Sequence, residues 1–327
     1  DIPSLYSSLA RSYLLGGSED LAREYFERAA EFKVSKGSAL YHTLLAKQLA
    51  DVGWFSQAIE SYKTALIMEP DPLRHVALGK VYSQLGDTTQ AIDHFEEAIR
   101  MDPWLFISHL QLGGIYNQQG DKESAIREYE MAWRLNPTYN SSYILLGQTI
   151  QEEHGTQAAI SRLQSLTTLN DVLPGPHRGL APLYVSNNQR ETALEELDFC
   201  AAIQPKDASI QAAIGYLLLA GGDVNKAQQA YESALLDNPD LISVRMGLSS
   251  LYALDAESGP EIGQLYQIIR NEPTLSWPHL SLASAYQKLG LWDDVEREIR
   301  WAIKLSPENP EGYVLLGNLY RSRSDWD

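Results

Sequence analysis

The stretch GDTTQAIDHFEEAIRMDP, residues 86–103, decides the fold. Its opening Gly-Asp has the chemistry of a turn and its closing Asp-Pro stops a helix. Between them Ala91, Phe95 and Ala98 recur at the spacing of one helix face. The pattern returns as GDKESAIREYEMAWRLNP at 120–137 and as GDVNKAQQAYESALLDNP at 222–239, offset by 34 residues or a multiple of it. A period of that length marks a repeated supersecondary unit. Each block follows an apolar, glycine-containing segment, as in HVALGKVYSQL (75–85) and SHLQLGGIYNQQ (108–119); YILLGQTI (143–150) is a further example. Each unit therefore reads as two amphipathic helices joined by a short turn.

Extending the register outward, repeats begin near Pro3, Ala39, Pro72, Phe106, Asn140, Pro174, Ala208, Ile242 and Ser276, with a half repeat from Pro310. Residues 1–327 are thus expected to form one array of nine hairpins and one unpaired helix. Small residues on first helices (Gly113, Gly147, Ala181, Gly215, Gly317) and on second helices (Ala91, Ala125, Ala193, Ala227) let helices approach closely. Aromatics such as Tyr62, Phe95, Tyr129 and Tyr231 fill the space beside them. Gly53, Gly86, Gly120, Gly222 and Gly290 supply the left-handed turn that ends a helix. Prolines from Pro70 to Pro307 close the repeats. Two repeats depart from the pattern. Pro174, Pro176 and Pro182 crowd the sixth, where a kink is expected. In the eighth, Ala256 and Glu261 replace the usual turn glycine and helix alanine, so loose packing is expected there.

These positions resemble the tetratricopeptide repeat. Gly79, Tyr82, Ala91, Phe95, Ala98 and Pro103 match its signature, as do Gly113, Tyr116, Ala125, Tyr129, Ala132 and Pro137, and then Gly215, Ala227, Tyr231, Ala234 and Pro239. The resemblance implies an all-α, right-handed superhelical solenoid of antiparallel hairpins that binds other proteins.

Composition narrows the function. With 26 basic against 43 acidic residues and a formal charge of −17, the chain lacks the clustered Lys and Arg that phosphate neutralisation needs, so nucleic acid is not an expected partner. The longest strongly apolar stretch, AAIGYLLLA at 212–220, is about half of the roughly 20 residues that cross a bilayer. The single cysteine, Cys200, reads as a small buried hydrophobe. The non-methionine start and the unpaired last helix read as a piece of a longer chain. Localisation stays open between the cytoplasm and the extracytoplasmic part of a membrane-associated complex.

No HExxH, GxSxG or GxxxxGK[ST] spacing occurs, so no catalytic residue is assigned. Five of the seven histidines (His42, His75, His109, His177, His279) share the fourth position of their repeats, where Tyr6, Tyr143 and Tyr313 also fall. Equivalent positions of adjacent hairpins lie at least about 8–10 Å apart, too far for imidazoles to share an ion. Neither metal nor cofactor is expected.

In the resembled family the concave face is lined by first-helix positions, and carboxylates are scarce at those positions here. They gather on second helices and turns (Glu96, Glu97, Glu128, Glu130, Asp293, Asp294), which reads as a solvated outer face. The groove expected from this assignment is polar and mildly basic in its first half, with Arg11, Lys47, Lys80, Asn117 and Gln148. Its second half is more apolar, with Tyr216, Leu219, Met246 and Trp277. The expected function is a scaffold or adaptor that holds a protein or peptide segment in this groove or docks into a multisubunit complex. Two other roles fit the sequence: a regulatory or substrate-recruiting arm of a larger, membrane-bound enzyme, and self-association through the uncapped C-terminal helix. The Lys-Asn-Arg clamp and the asparagine ladder of specialised family members are not matched.

Overall fold

The computed structural model describes residues 2–15, 17–32, 34–35, 37–169, 172–254 and 258–323. Among the described residues all regular structure is helical, in nineteen α-helices. Residue contacts divide the chain into two compact units, Asp1–Leu183 and Tyr184–Asp327.

The first unit holds α1 (Ile2–Leu15), α2 (Glu19–Glu31), α3 (Ala39–Asp51), α4 (Phe55–Met68), α5 (Pro72–Leu85) and α6 (Thr88–Met101). It continues with α7 (Phe106–Gln119), α8 (Lys122–Leu135), α9 (Ser141–His154), α10 (Thr156–Thr167) and most of α11 (Pro174–Ser186). The second holds α12 (Arg190–Ile203), α13 (Ala208–Ala220), α14 (Val224–Asp237), α15 (Ile242–Leu254), α16 (Ser258–Asn271), α17 (Trp277–Lys288), α18 (Trp292–Leu305) and α19 (Pro310–Arg323). Within each unit, consecutive helices pack as hairpins, and α3, α5, α7, α9, α13, α15, α17 and α19 each also meet the helix before them.

Two residues make each sharp turn. Gly86 takes φ 85° and closes α5, its N–H donating to the Ser83 carbonyl at 3.1 Å. Asp87 then caps α6 by accepting from the Gln90 N–H at 3.1 Å. Gly120–Asp121 and Gly222–Asp223 repeat the device, with the Asp carboxylates accepting from Ser124 and Lys226. In the sixth hairpin, Asn188 takes the left-handed conformation instead, at φ 57°. Asn is the side chain that tolerates this region best after Gly, so Asn188 serves here as the glycines do in the other turns.

The hairpin cores follow from the small-large-small rows. Ala91, Phe95 and Ala98 are fully buried, and so are Ala125, Ala132, Ala227 and Ala234; Tyr129 and Tyr231 are nearly so. The first core cluster runs from Ala10 to Ile115. In the second unit, one cluster gathers around Tyr231 and Leu248 and another around Leu265, Leu282 and Ile299.

The stretch Pro174–Pro182, where a kink is expected, approaches α9 closely. Pro182 lies inside a continuous α11. A β-carbon on Gly175 would stand 2.3 Å from the Tyr143 ring, and one on Gly179 would stand 2.9 Å from the Tyr143 carbonyl oxygen. The loose packing expected of the eighth repeat is corrected at Glu261. That side chain is 4 % exposed and pairs with Lys288 Nζ at 3.2 Å, while Leu265 and Ile268 beside it are fully buried. Ala256 lies outside the described residues. In α19, Tyr313 and Val314 are more than half exposed, and nothing lies within 4 Å of a β-carbon built on Gly317.

Candidate functional site

Two of the expected groove residues converge. Lys47 on α3 and Lys80 on α5 line one cavity of about 400 Å³ in the first unit. Its wall is Leu73, Val76, Ala77, Val81 and Ile107, with Tyr62 and Asp51 at one side. Val76, Val81 and Tyr62 are buried parts of the hairpin core, so the wall is held by packing and not by the ligand. Both lysines are exposed, and no hydrogen bond or ion pair engages either among the described residues. Burial, with the Asp51 charge adding to it, pushes the Tyr62 hydroxyl up to about 12, so it stays a neutral donor beside the ammonium groups. The cavity offers two unpaired cations over an apolar wall, with one carboxylate at its edge.

Arg11 lines a separate, more polar cavity of about 350 Å³ with Ser7, Ser8, Leu44 and Gln48. The Gln48 Oε1 atom is buried there without a hydrogen-bond partner. Asn117 is occupied internally, since Lys122 Nζ donates to its Oδ1 at 2.7 Å and also pairs with Glu152. Gln148 is exposed on α9.

In the second unit the four expected residues separate into two kinds. Tyr216 is 64 % exposed and Met246 43 % exposed. Leu219 instead packs on the core around Tyr231, and Trp277 packs on the core around Leu282 and Ile299. Both carry hairpin stability at least as much as any binding surface. A cavity of about 250 Å³ beside α19 is lined by Leu280, Ala283, Gln287, Trp292, Leu315 and Asn318 among others.

The shared histidine position has a structural use that repeat-to-repeat spacing did not reveal. In several hairpins it faces the residue nineteen further on, in the second helix of the same hairpin. His109 Nδ1 lies 2.7 Å from Glu128 Oε2, and His279 Nδ1 lies 2.7 Å from Glu298 Oε2. Arg245 donates to Gln264 at 2.9 Å in the same way, and Tyr6 packs on Tyr25 with ring centres 6.0 Å apart. The slot joins paired helices, by a polar contact at His109, Arg245 and His279, and in α5–α6 it holds two histidines.

The acidic second helices carry many of their carboxylates in short-range pairs. Glu24 pairs with Arg28 and Glu296 with Arg300, while Arg162 reaches from α10 to Glu130 on α8. Exposed pairs of this kind contribute about 0–1 kcal/mol each, so they serve solubility more than stability. Among the described residues no helix is long and apolar enough to cross a membrane.

The tetratricopeptide repeat family profile matches residues 43–103 and 76–140. No curated protein matches the chain. Among solved structures, the fold is similar to the crystal structure of the APC/C hetero-tetramer Cut9–Hcn1, with 15% identity and a TM-score of 0.52, over 91% of this chain and 62% of that one. The chain therefore spans less than two thirds of that relative's length. It is also similar to Pseudomonas aeruginosa PilF, with 15% identity and a TM-score of 0.50, over 66% of this chain and 97% of that one. MamA from Desulfovibrio magneticus RS-1 aligns with 17% identity and a TM-score of 0.43, over 46% of this chain and 86% of that one. At these identities the likeness concerns the fold.

Proposed function

We propose that this chain, whose residues 43–140 match the tetratricopeptide repeat family and whose fold is that of a helical-repeat protein, is a scaffold whose first unit seizes an acidic, partly apolar segment of a protein partner. Tetratricopeptide repeats form, in general, a non-catalytic protein-interaction fold. The observation that carries the finer reading is the cavity that brings Lys47 and Lys80 together over Val76, Val81 and Ile107.

The division of labour follows from magnitudes. An exposed ion pair is worth roughly 0.2–1 kcal/mol, whereas burying one Leu- or Phe-sized side chain is worth about 1.5–3 kcal/mol. An apolar side chain of the partner against the cavity wall therefore supplies most of the affinity. The two lysines choose its neighbours, favouring a carboxylate and rejecting a cation. We read residues 1–327 as one array because the repeat starts at Pro174 and Ala208 keep the 34-residue step across the division between the units.

The test is an affinity capture from the native source with the wild-type chain beside a Lys47→Glu/Lys80→Glu variant of matched unfolding midpoint. A partner retained by wild type and lost by the variant, with binding that weakens as salt rises, supports the cavity as its seat. Equal capture by both chains would place recognition elsewhere and overturn this reading.

A further inference from the structure

In the α5–α6 hairpin the slot joins two like groups: His75 Nδ1 and His94 Nδ1 lie 3.0 Å apart. A neutral imidazole has one donor and one acceptor nitrogen, so one ring donates its Nδ1 proton and the other accepts it. The bond survives one added proton, which enters at the outward Nε2 of the donating ring and leaves the facing atoms as they were. A second must enter at the accepting Nδ1. Two N–H donors and two positive charges then face each other at hydrogen-bond distance. The other paired histidines of this slot face a carboxylate, His109 at Glu128 and His279 at Glu298, each at 2.7 Å. An imidazolium still donates to a carboxylate, so acid does not set those partners against each other.

Packing keeps the two rings together. His94 stacks on Tyr82 with centres 5.5 Å apart and planes 11° from parallel, and Lys63 Nζ of α4 stands 5.7 Å from the centre of the same tyrosine ring. His94 also precedes Phe95, which is fully buried. The charged groups bearing on the pair are Asp71 at the start of α5, Asp93, Glu97 and Arg100 on α6, and Lys63 on α4. Burial is the largest influence on both imidazoles and, against the nearby carboxylates, lowers both below the ordinary histidine value. The unfolded chain therefore takes up protons before the closed hairpin does. The stability that these rings contribute is complete above about pH 6.5 and is lost as the pH falls below it.

We propose that the facing His75–His94 pair makes the α5–α6 hairpin an acid-sensitive switch, closed at neutral pH and opening when both rings are protonated. Helix α5 carries Val76, Lys80 and Val81 into the cavity that Lys47 completes, so opening the hairpin displaces one wall of that cavity. On the reading that the cavity seats a partner, the switch sets the pH range in which the seat exists.

The experiment is amide hydrogen exchange on the full chain from pH 7.5 to 5.5, corrected for the intrinsic exchange rate, with wild type beside His94→Glu and His94→Gln. The first substitution rebuilds in α5–α6 the histidine–glutamate pair of α7–α8. The second can still hydrogen-bond across the slot, as Gln264 does to Arg245, and brings no second charge. Unfolding midpoints at pH 7.5 confirm that both variants fold. A proton bound by the open hairpin and not by the closed one raises the opening constant by up to about tenfold per pH unit. In wild type the α5 and α6 amides should therefore open up to about tenfold more readily at pH 5.5 than at pH 6.5, while those of α7 and α8 change little. In both variants the α5 and α6 amides should lose that acid response. Wild-type α5 and α6 amides that do not respond to acid, or a response that the variants retain, would overturn the proposal. The measurement needs no partner, so its outcome is separate from capture by Lys47 and Lys80.

Discussion

Gly79 lies so close against the ring of Phe95, sixteen residues further on, that a β-carbon at position 79 would stand 2.8 Å from Cε1. The same relation joins Gly113 to Tyr129 at 2.6 Å, Gly147 to Leu163 at 2.9 Å and Gly215 to Tyr231 at 2.6 Å. The large side chain of each second helix is thus seated on the bare backbone of its first helix. In the third hairpin this contact sets how closely α6 approaches α5.

Gly113→Ala should destabilise the first unit by about 1–3 kcal/mol, the usual cost of overpacking a full core. The Tyr129 ring it would strike is buried and cannot swing out to solvent. Gly317→Ala should act the other way. Nothing lies within 4 Å of its β-carbon, so only helix propensity remains, a gain of roughly 0.5–1 kcal/mol. Urea unfolding of both variants checks the pair; similar losses in both would show that the close approach is not the cause.

Gly179→Ala should cost more than a clash with a side chain would suggest, because its β-carbon meets the Tyr143 carbonyl oxygen at 2.9 Å. Backbone cannot turn aside as a rotamer can, so α11 must shift off α9 and the packing of Leu163 loosens with it. Hydrogen exchange should show α9 and α11 opening first, with the amides of α5 and α6 unchanged.

Burial pushes the hydroxyls of Tyr62, Tyr129 and Tyr143 up to about 12. These are acids whose folded value is raised, so the unfolded chain gives up protons first as the solution becomes alkaline. Their contribution is fully present below pH 10 and is lost as the pH rises toward 12. A Tyr129→Phe variant should show a shallower fall in unfolding midpoint between pH 9.5 and 11.5 than wild type, read by far-ultraviolet circular dichroism.

Lys288→Met should lower stability by about 1–3 kcal/mol, although Lys288 itself is 39% exposed and its ion pair alone is worth little. The cost comes from Glu261, whose carboxylate is buried and would lose its cation. The double variant Glu261→Ala/Lys288→Met should recover most of that loss, since alanine is what this position carries in most other second helices. A double-mutant cycle measured by denaturant unfolding decides it, and no recovery would mean that Glu261 has another compensating partner.

The Gly-Asp turns, the closing prolines and the small-large-small rows were all legible in the sequence, and helices begin at Ala39, Pro72, Phe106, Pro174, Ala208, Ile242 and Pro310 as the register expects. These signals are local: a left-handed glycine, an aspartate accepting from the N–H three residues on and a missing β-carbon act over one or two turns. The sequence determined by itself where each helix starts and stops and which helix is its neighbour. What a side chain meets across that neighbour belongs to the tertiary structure, because it depends on how far each helix rotates about its axis when the cores pack. Only there did Leu219 and Trp277 turn into the cores, Lys122 take up Asn117, and Lys47 and Lys80 come to one cavity. Only there did His75 find His94, since the position that repeats every 34 residues finds its partner nineteen residues away, on the helix packed against it.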